Sequence, residues 1–171
     1  MDSKHFLSEK EKLTVFRFCL TKGIITTDHI ERWATTTYLE TGAQRTDYIL
    51  ELCSANAMGL NNKLSFLKQN QCLDHKEEIK QTVCGIAGYL FRNNKICIEK
   101  AGEIIDFTTK EIDIETMTNT DFDYSYSIDD YIYLAYEGVL NIDDVKNQLL
   151  TNTKPYEKIG KEFLKEHFDL D

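Results

Sequence analysis

Apolar residues recur at three- and four-residue intervals along most of this chain, the spacing of amphipathic helices. Ser8 and Glu11 form a capping box, which predicts a first helix from about residue 9 to 22. Similar patterns and caps predict helices at about 27–40, 46–55, around 64–67, after 74 to 92, from 98, from 128 to about 137, from 141 and from 155. Residues 96–98 alone would also suit a short strand. The pattern predicts an all-α single domain over residues 1–171, with about seven or eight helices in a bundle or a short stack of helical hairpins.

Two of the predicted turns between helices share one pattern. Residues 22–30 align without a gap with residues 137–145. In both, a glycine follows one helix, an apolar residue able to fold back on that helix comes next, and Thr26 or Asn141 caps the following helix. Gly23 and Gly138 should therefore adopt positive φ. The match is explained either by an ancient duplication or by convergence on a good helical corner, and two copies alone do not establish a repeat array.

The helix predicted to end at residue 92 carries several small residues on its apolar stripe. Gly85 and Gly88 lie among them, close to Cys84 and Ala87. A glycine pair at this spacing also occurs in loops that clamp nucleic acids, but such loops need basic flanks and a break in the helix. Neither is present, so the small residues predict close approach of another helix.

The hydrophobic periodicity weakens between about residues 108 and 127, which predicts a long loop. Ser127 then precedes two acids, a pattern typical of a helix N-terminus. The helix that follows is expected to place Tyr131, Leu134 and Ala135 inward and to end at Gly138.

Charge is unevenly distributed along this part of the chain. The protein has a net charge of -9, yet no lysine or arginine occurs between Lys110 and Lys146. The same stretch holds five of the nine tyrosines and ten acids, which are Glu111, Asp113, Glu115, Asp121, Asp123, Asp129, Asp130, Glu137, Asp143 and Asp144. Acids steer a cationic partner and tyrosines give rigid contact area, so the stretch favours docking of a basic protein.

The residues expected to contact that partner come from the predicted loop and the helix after it. They are Glu115, Asp121, Asp123, Tyr124, Tyr126, Asp129, Asp130 and Tyr131. The alternative interpretation is an acidic loop that is merely solvated.

Composition excludes several classes of protein. The hydrophobic and charged fractions, 42% and 29%, are those of a globular domain, and no apolar run is long enough to cross a membrane. Five cysteines without a C-x-x-C pair predict reduced thiols, and the N-terminus has no apolar segment of a signal peptide. A sequence pI near 5.0 with scattered basic residues disfavours nucleic acid. We therefore expect a cytoplasmic protein that binds neither nucleic acid nor a membrane.

Candidate catalytic and metal motifs are all incomplete. Cys72 and His75 have ligand spacing, but no second pair accompanies them. The alternating oxygens of residues 121–129 resemble a calcium loop, yet Tyr126 and Ile132 occupy the positions that require glycine and glutamate. The four histidines are scattered, and phosphate-binding glycine motifs are absent. The sequence predicts no catalytic residue, cofactor or metal.

The combination of Gly-Ile-Ile-Thr after a helix, a Trp-Ala helix and a later acidic, tyrosine-rich stretch resembles small cytoplasmic immunity proteins that neutralise bacterial polymorphic toxins. The resemblance covers residues 13–34 and 121–146. It implies binding of a toxin by occlusion, with a basic toxin such as a nuclease as the partner, and no catalysis. No inhibitory residue can be transferred by motif. The alternatives are a regulatory or scaffold helical protein and an enzyme of unrecognised type.

Overall fold

The computed structural model describes residues 7–41, 47–53, 59, 75–113 and 128–170. Every regular element in these residues is helical and none is a strand, which confirms the predicted all-α class. The alternative of a strand at residues 96–98 is wrong, because Ile98 begins a helix. The predicted short helix near residues 64–67 lies outside the described residues.

The helices begin and end close to the predicted residues. The capping box forms as expected, with the Ser8 amide donating to Glu11 Oε2 at 2.7 Å and the Glu11 amide donating to Ser8 Oγ at 3.4 Å. Pro155 lies in a short 3-10 turn rather than in the last helix. The elements are α1 (Glu9–Thr21), α2 (Thr27–Thr41), α3 (Asp47–Leu52), α4 (Lys76–Arg92), α5 (Ile98–Asp113), α6 (Ile128–Tyr136), α7 (Ile142–Thr153), the 3-10 turn (Lys154–Tyr156) and α8 (Glu157–Phe168).

Part of the predicted loop at 108–127 is helical. Helix α5 continues through Asp113, and Thr108 and Ile112 are buried on it. The Thr108 hydroxyl donates to the Ile104 carbonyl at 2.8 Å. Because Thr108 is buried four residues after Ile104 and four before Ile112, the buried stripe continues past the point where the apolar periodicity of the sequence weakens. Residues 114–127 lie outside the described residues.

The described residues form two compact units. The first contains the described residues up to His75 together with residues 165–170, and the second contains the described residues between Lys76 and Leu164. In the first unit the buried ring of Phe16 contacts Trp33 edge-on at a centroid distance of 4.8 Å and Phe168 at 4.7 Å. These aromatic contacts form its core together with buried Ile30 and Ala34 of α2.

In the second unit, glycines allow backbones to touch. A Cβ placed on Gly85 of α4 would lie closer than 3.0 Å to the Tyr156 carbonyl, and one on Gly160 of α8 would lie equally close to the backbone of Gly85. A Cβ on Gly88 would meet the side chain of Thr153. The structure confirms the prediction that small residues on α4 permit close helix approach.

One helical corner occurs three times in the part of the chain that the structure describes. At each, a residue with positive φ follows the helix, namely Gly23 (67°), Asn94 (55°) or Gly138 (74°). The amide of that residue donates to the carbonyl three residues earlier. The amide of the residue before it donates to the carbonyl four residues earlier, and the amide of the residue after it to the carbonyl five residues earlier. All of these bonds measure 2.8 to 3.2 Å. The corners between α1 and α2 and between α6 and α7 confirm the predicted positive φ. The corner between α4 and α5 is a third copy that the sequence comparison missed.

Alanine at Gly23 or Gly138 should lower the free energy of unfolding by about 1 kcal/mol, since a Cβ disfavours positive φ. Nothing lies within 4 Å of a Cβ at either position, so the penalty is one of backbone conformation alone. Denaturant titration measures it. Asn94→Gly is the matched control, because it changes a corner residue without adding a side chain at positive φ, and it should not destabilise the protein. Unchanged stability in both alanine variants would contradict this account of the corners.

Candidate functional site

Helix α6 is held to α5 by two isoleucines. Ile128 and Ile132 lie one turn apart and are each only 4% exposed. They pack over Gly102 of α5, where a Cβ would lie 2.7 Å from Ile132 Cδ1 and 3.3 Å from Ile128 Cγ2. The absence of a side chain at Gly102 therefore makes room for the buried edge of α6.

This packing corrects the predicted orientation of α6. Tyr131 and Ala135 are half-buried, but Leu134, which was expected to face inward, is 36% exposed. The physical reason is that Ile128 and Ile132 fix the rotation of the helix. Their burial turns Leu134 toward solvent.

The outward side of α6 combines acids with large apolar groups. Asp130, Tyr133, Leu134 and Glu137 have the i, i+3, i+4, i+7 spacing of one helix face. Tyr133 is 63% exposed, Tyr136 is 61% exposed and Val139, in the following corner, is 66% exposed. The Val139 amide bonds to the Leu134 carbonyl, but its side chain stays exposed and does not pack on the preceding helix as predicted. We call this surface the acidic tyrosine face, defined by Asp130, Tyr133, Leu134, Tyr136, Glu137 and Val139.

The N-terminus of α6 is capped by a side chain from α5. Asp106 is 4% exposed, and its two carboxylate oxygens accept hydrogen bonds from the Ile128 and Asp129 amides, each at 3.1 Å. These bonds satisfy two amide donors at the start of the helix, and the negative charge is favourable at this end of the helix. Asp106 therefore positions the acidic tyrosine face. Its signal in the sequence is an acid among the apolar residues of α5.

Asp129 takes part in this arrangement at the helix terminus. Burial raises the pKa of Asp129, and the neighbouring carboxylate of Asp106 raises it further through its charge and a hydrogen bond. Glu103 adds to the effect and Lys110 opposes it. Asp129 Oδ1 also lies against α5, 3.1 Å from where a Cβ on Gly102 would stand, whereas Asp130 belongs to the outward face.

Of the residues predicted to contact a partner, the structure describes three. Asp130 is exposed on the acidic tyrosine face, Tyr131 is half-buried beside it, and Asp129 lies at the helix terminus. Tyr133, Tyr136 and Glu137 belong to the acids and tyrosines of this stretch but are not among the predicted contact residues, and neither are Leu134 and Val139. Glu115, Asp121, Asp123, Tyr124 and Tyr126 lie outside the described residues.

Tyr136 is fixed by a residue of α5. Its hydroxyl donates a hydrogen bond to the Glu99 carboxylate, which also accepts one from the Cys97 thiol. These bonds, together with the charge of Lys146, lower the pKa of Glu99. Glu99 and Cys97 also line an open groove of about 510 Å³.

The other side chains with possible chemical roles are hydrogen-bonded or buried in the structure. The first-unit residue His75, half of the incomplete metal motif, has its Nδ1 2.9 Å from Glu11 Oε1, and its amide donates to the same oxygen at 3.0 Å. Burial raises the pKa of Cys19 and of Cys84 to about 12, which makes these thiols unreactive.

Within the described residues, no three potential ligands form a metal-binding group. No described helix is both long enough and apolar enough to cross a membrane.

No protein-family model, curated protein or solved structure matches this chain.

Proposed function

We propose that this chain is a protein-binding module whose acidic tyrosine face docks a basic protein. The observation that carries the proposal is the exposure of Tyr133, Tyr136 and Val139 on a short helix and its corner, within a stretch that contains no basic residue. Large apolar groups on a solvent-facing helix surface are typical of interaction sites, particularly where polar residues rim them.

The two kinds of residue have different roles in this proposal. Asp130 and Glu137 attract a cationic surface over a distance of about 8–10 Å, beyond which salt screens charges. Tyr133 and Tyr136 then supply contact area that is desolvated in the complex. Steering affects the association rate, whereas the desolvated anchors set the dissociation rate.

The resemblance to immunity proteins gives the proposal its concrete form. The partner would be a basic toxin, such as a nuclease, met in the cytoplasm. Docking of the acidic tyrosine face would occlude the cationic surface that the toxin uses for its own substrate. No catalysis by this chain is involved.

The test is affinity capture from the native host with variants of the face. We expect a basic protein to be retained by the wild type at low salt and released as salt is added. Asp130→Lys with Glu137→Lys should slow its association, and Tyr133→Ala should speed its dissociation about tenfold or more. Surface plasmon resonance with the captured protein separates the two rates.

A matched control carries the same change in net charge elsewhere. Glu40→Lys with Glu162→Lys alters two exposed acids of α2 and α8 that lie outside the face. This control should retain the partner, and circular dichroism should show equal helicity in all variants. The proposal is wrong if every captured protein binds the face variants as well as it binds the control.

A further inference from the structure

The arrangement around Tyr133 is specific enough to identify the kind of cation it suits. On α6, Asp130 lies three residues before Tyr133, and Glu137 lies four residues after it, in the corner that ends the helix. Both spacings place the carboxylate next to the tyrosine on one side of the helix. An exposed aromatic ring therefore has a negative group one turn away in each direction.

Arginine and lysine use such a surface differently. A guanidinium group is planar, stacks on an aromatic face and donates two parallel hydrogen bonds to a carboxylate. It is also less strongly hydrated than an ammonium group, so it loses less on leaving water. Lysine presents a compact charge that can satisfy the carboxylate or approach the ring. A ring flanked by carboxylates therefore favours arginine.

Tyr136 provides a second ring with a carboxylate beside it. Its hydroxyl is bonded to Glu99, and this bond raises the pKa of Tyr136 above its usual value. The bond restrains the side chain while most of it stays exposed. A restrained aromatic group loses less conformational freedom on binding than a free one does. The face thus offers two tyrosine rings, each next to at least one acid.

We propose that the partner segment recognised by the acidic tyrosine face presents arginine, and that Tyr133 with Asp130 and Glu137 selects arginine over lysine. This inference rests on the proposed function, because it specifies the chemistry of the basic partner. The inference requires the partner to carry arginine, whereas a requirement for positive net charge would be met equally well by lysine.

The experiment uses two blocked peptides that are identical except that one carries arginines where the other carries lysines. Titrations with the full chain, followed by the amide resonances of α6, should show about tenfold tighter binding of the arginine peptide. Tyr133→Leu preserves apolar bulk but removes the ring, so it should abolish the preference while leaving weak, salt-sensitive binding of both peptides. Tyr38→Leu on α2 is the matched control and should keep the preference.

The outcomes separate this inference from the proposed function. Equal, salt-sensitive binding of both peptides, reduced by Asp130→Asn with Glu137→Gln, would overturn the arginine preference and leave a general basic partner in place. A preference that survives in Tyr133→Leu would overturn the role of Tyr133. Absence of binding by either peptide would overturn both proposals, since neither kind of cation would be recognised.

Discussion

Alanine at Gly85 or at Gly160 is expected to lower the free energy of unfolding by about 3 kcal/mol. A methyl group at Gly85 would meet the Tyr156 carbonyl, and a methyl group at Gly160 would meet the backbone of Gly85. Backbone cannot rotate away as the end of a side chain can, so α4 and α8 would have to separate. The loss should exceed the gain of about 1 kcal/mol that alanine brings to a helix through its higher propensity.

Gly102→Ala is the matched control for these variants. Its methyl group would lie near Ile132 Cδ1, the far end of a flexible side chain that can move aside. Chemical denaturation should therefore show a much smaller loss for Gly102→Ala. The double variant of Gly85 and Gly160 should lose less than the sum of the two single losses, because either methyl group already forces the helices apart. Melting temperatures equal to that of the wild type would contradict the close approach.

Acidification from pH 6.5 to 4 should remove about 3 kcal/mol of stability through His167 alone. The side chain is only 8% exposed, and its ring lies 5.6 Å from that of Phe16 in the core of the first unit. Burial lowers the pKa of His167 to about 4, Lys12 lowers it further, and Glu166 opposes the shift. The stabilising contribution of the neutral ring is therefore complete above pH 6.5 and is lost as pH falls toward 4.

The measurement compares the wild type with His167→Leu. Other groups titrate in the same range, including His29, whose pKa is lowered by burial and by Arg32. The difference between the two proteins isolates His167 because the other groups are common to both. Urea titrations at pH 7, 5.5 and 4 should show that the stability of the wild type falls more steeply. Parallel pH profiles would mean that His167 is not buried in its neutral form.

The sequence predicted helices best where local caps and apolar spacing agreed. The Ser8 capping box fixed the start of α1, and the glycine signals at Gly23 and Gly138 identified two corners. The third corner was missed because its positive-φ residue is Asn94 rather than glycine. Its capping position also holds Cys97 where the other corners have threonine and asparagine. The hydrogen bonds of the corner tolerate these replacements, but a comparison of residue types does not detect them.

The candidate site was predicted in outline and missed in detail. The concentration of acids and tyrosines identified the stretch, whereas the side of α6 that faces solvent depends on Gly102 and Asp106 of another helix. Burial of Ile128 and Ile132 then decided between two plausible rotations of α6. Such information lies in contacts between residues more than twenty positions apart, and periodicity within one segment does not contain it.

The bond from Asp106 to α6 also bears on the order in which the second unit folds. Helix α6 has nine residues, fewer than the roughly 12–15 that an isolated helix needs to be even marginally stable in water. Its first turn depends on a carboxylate more than twenty residues earlier, so α6 becomes stable only after α5 has formed. We therefore expect the surface that presents Tyr133 and Tyr136 to form only once α6 has packed on α5, so that a chain lacking this packing would not offer it to a partner.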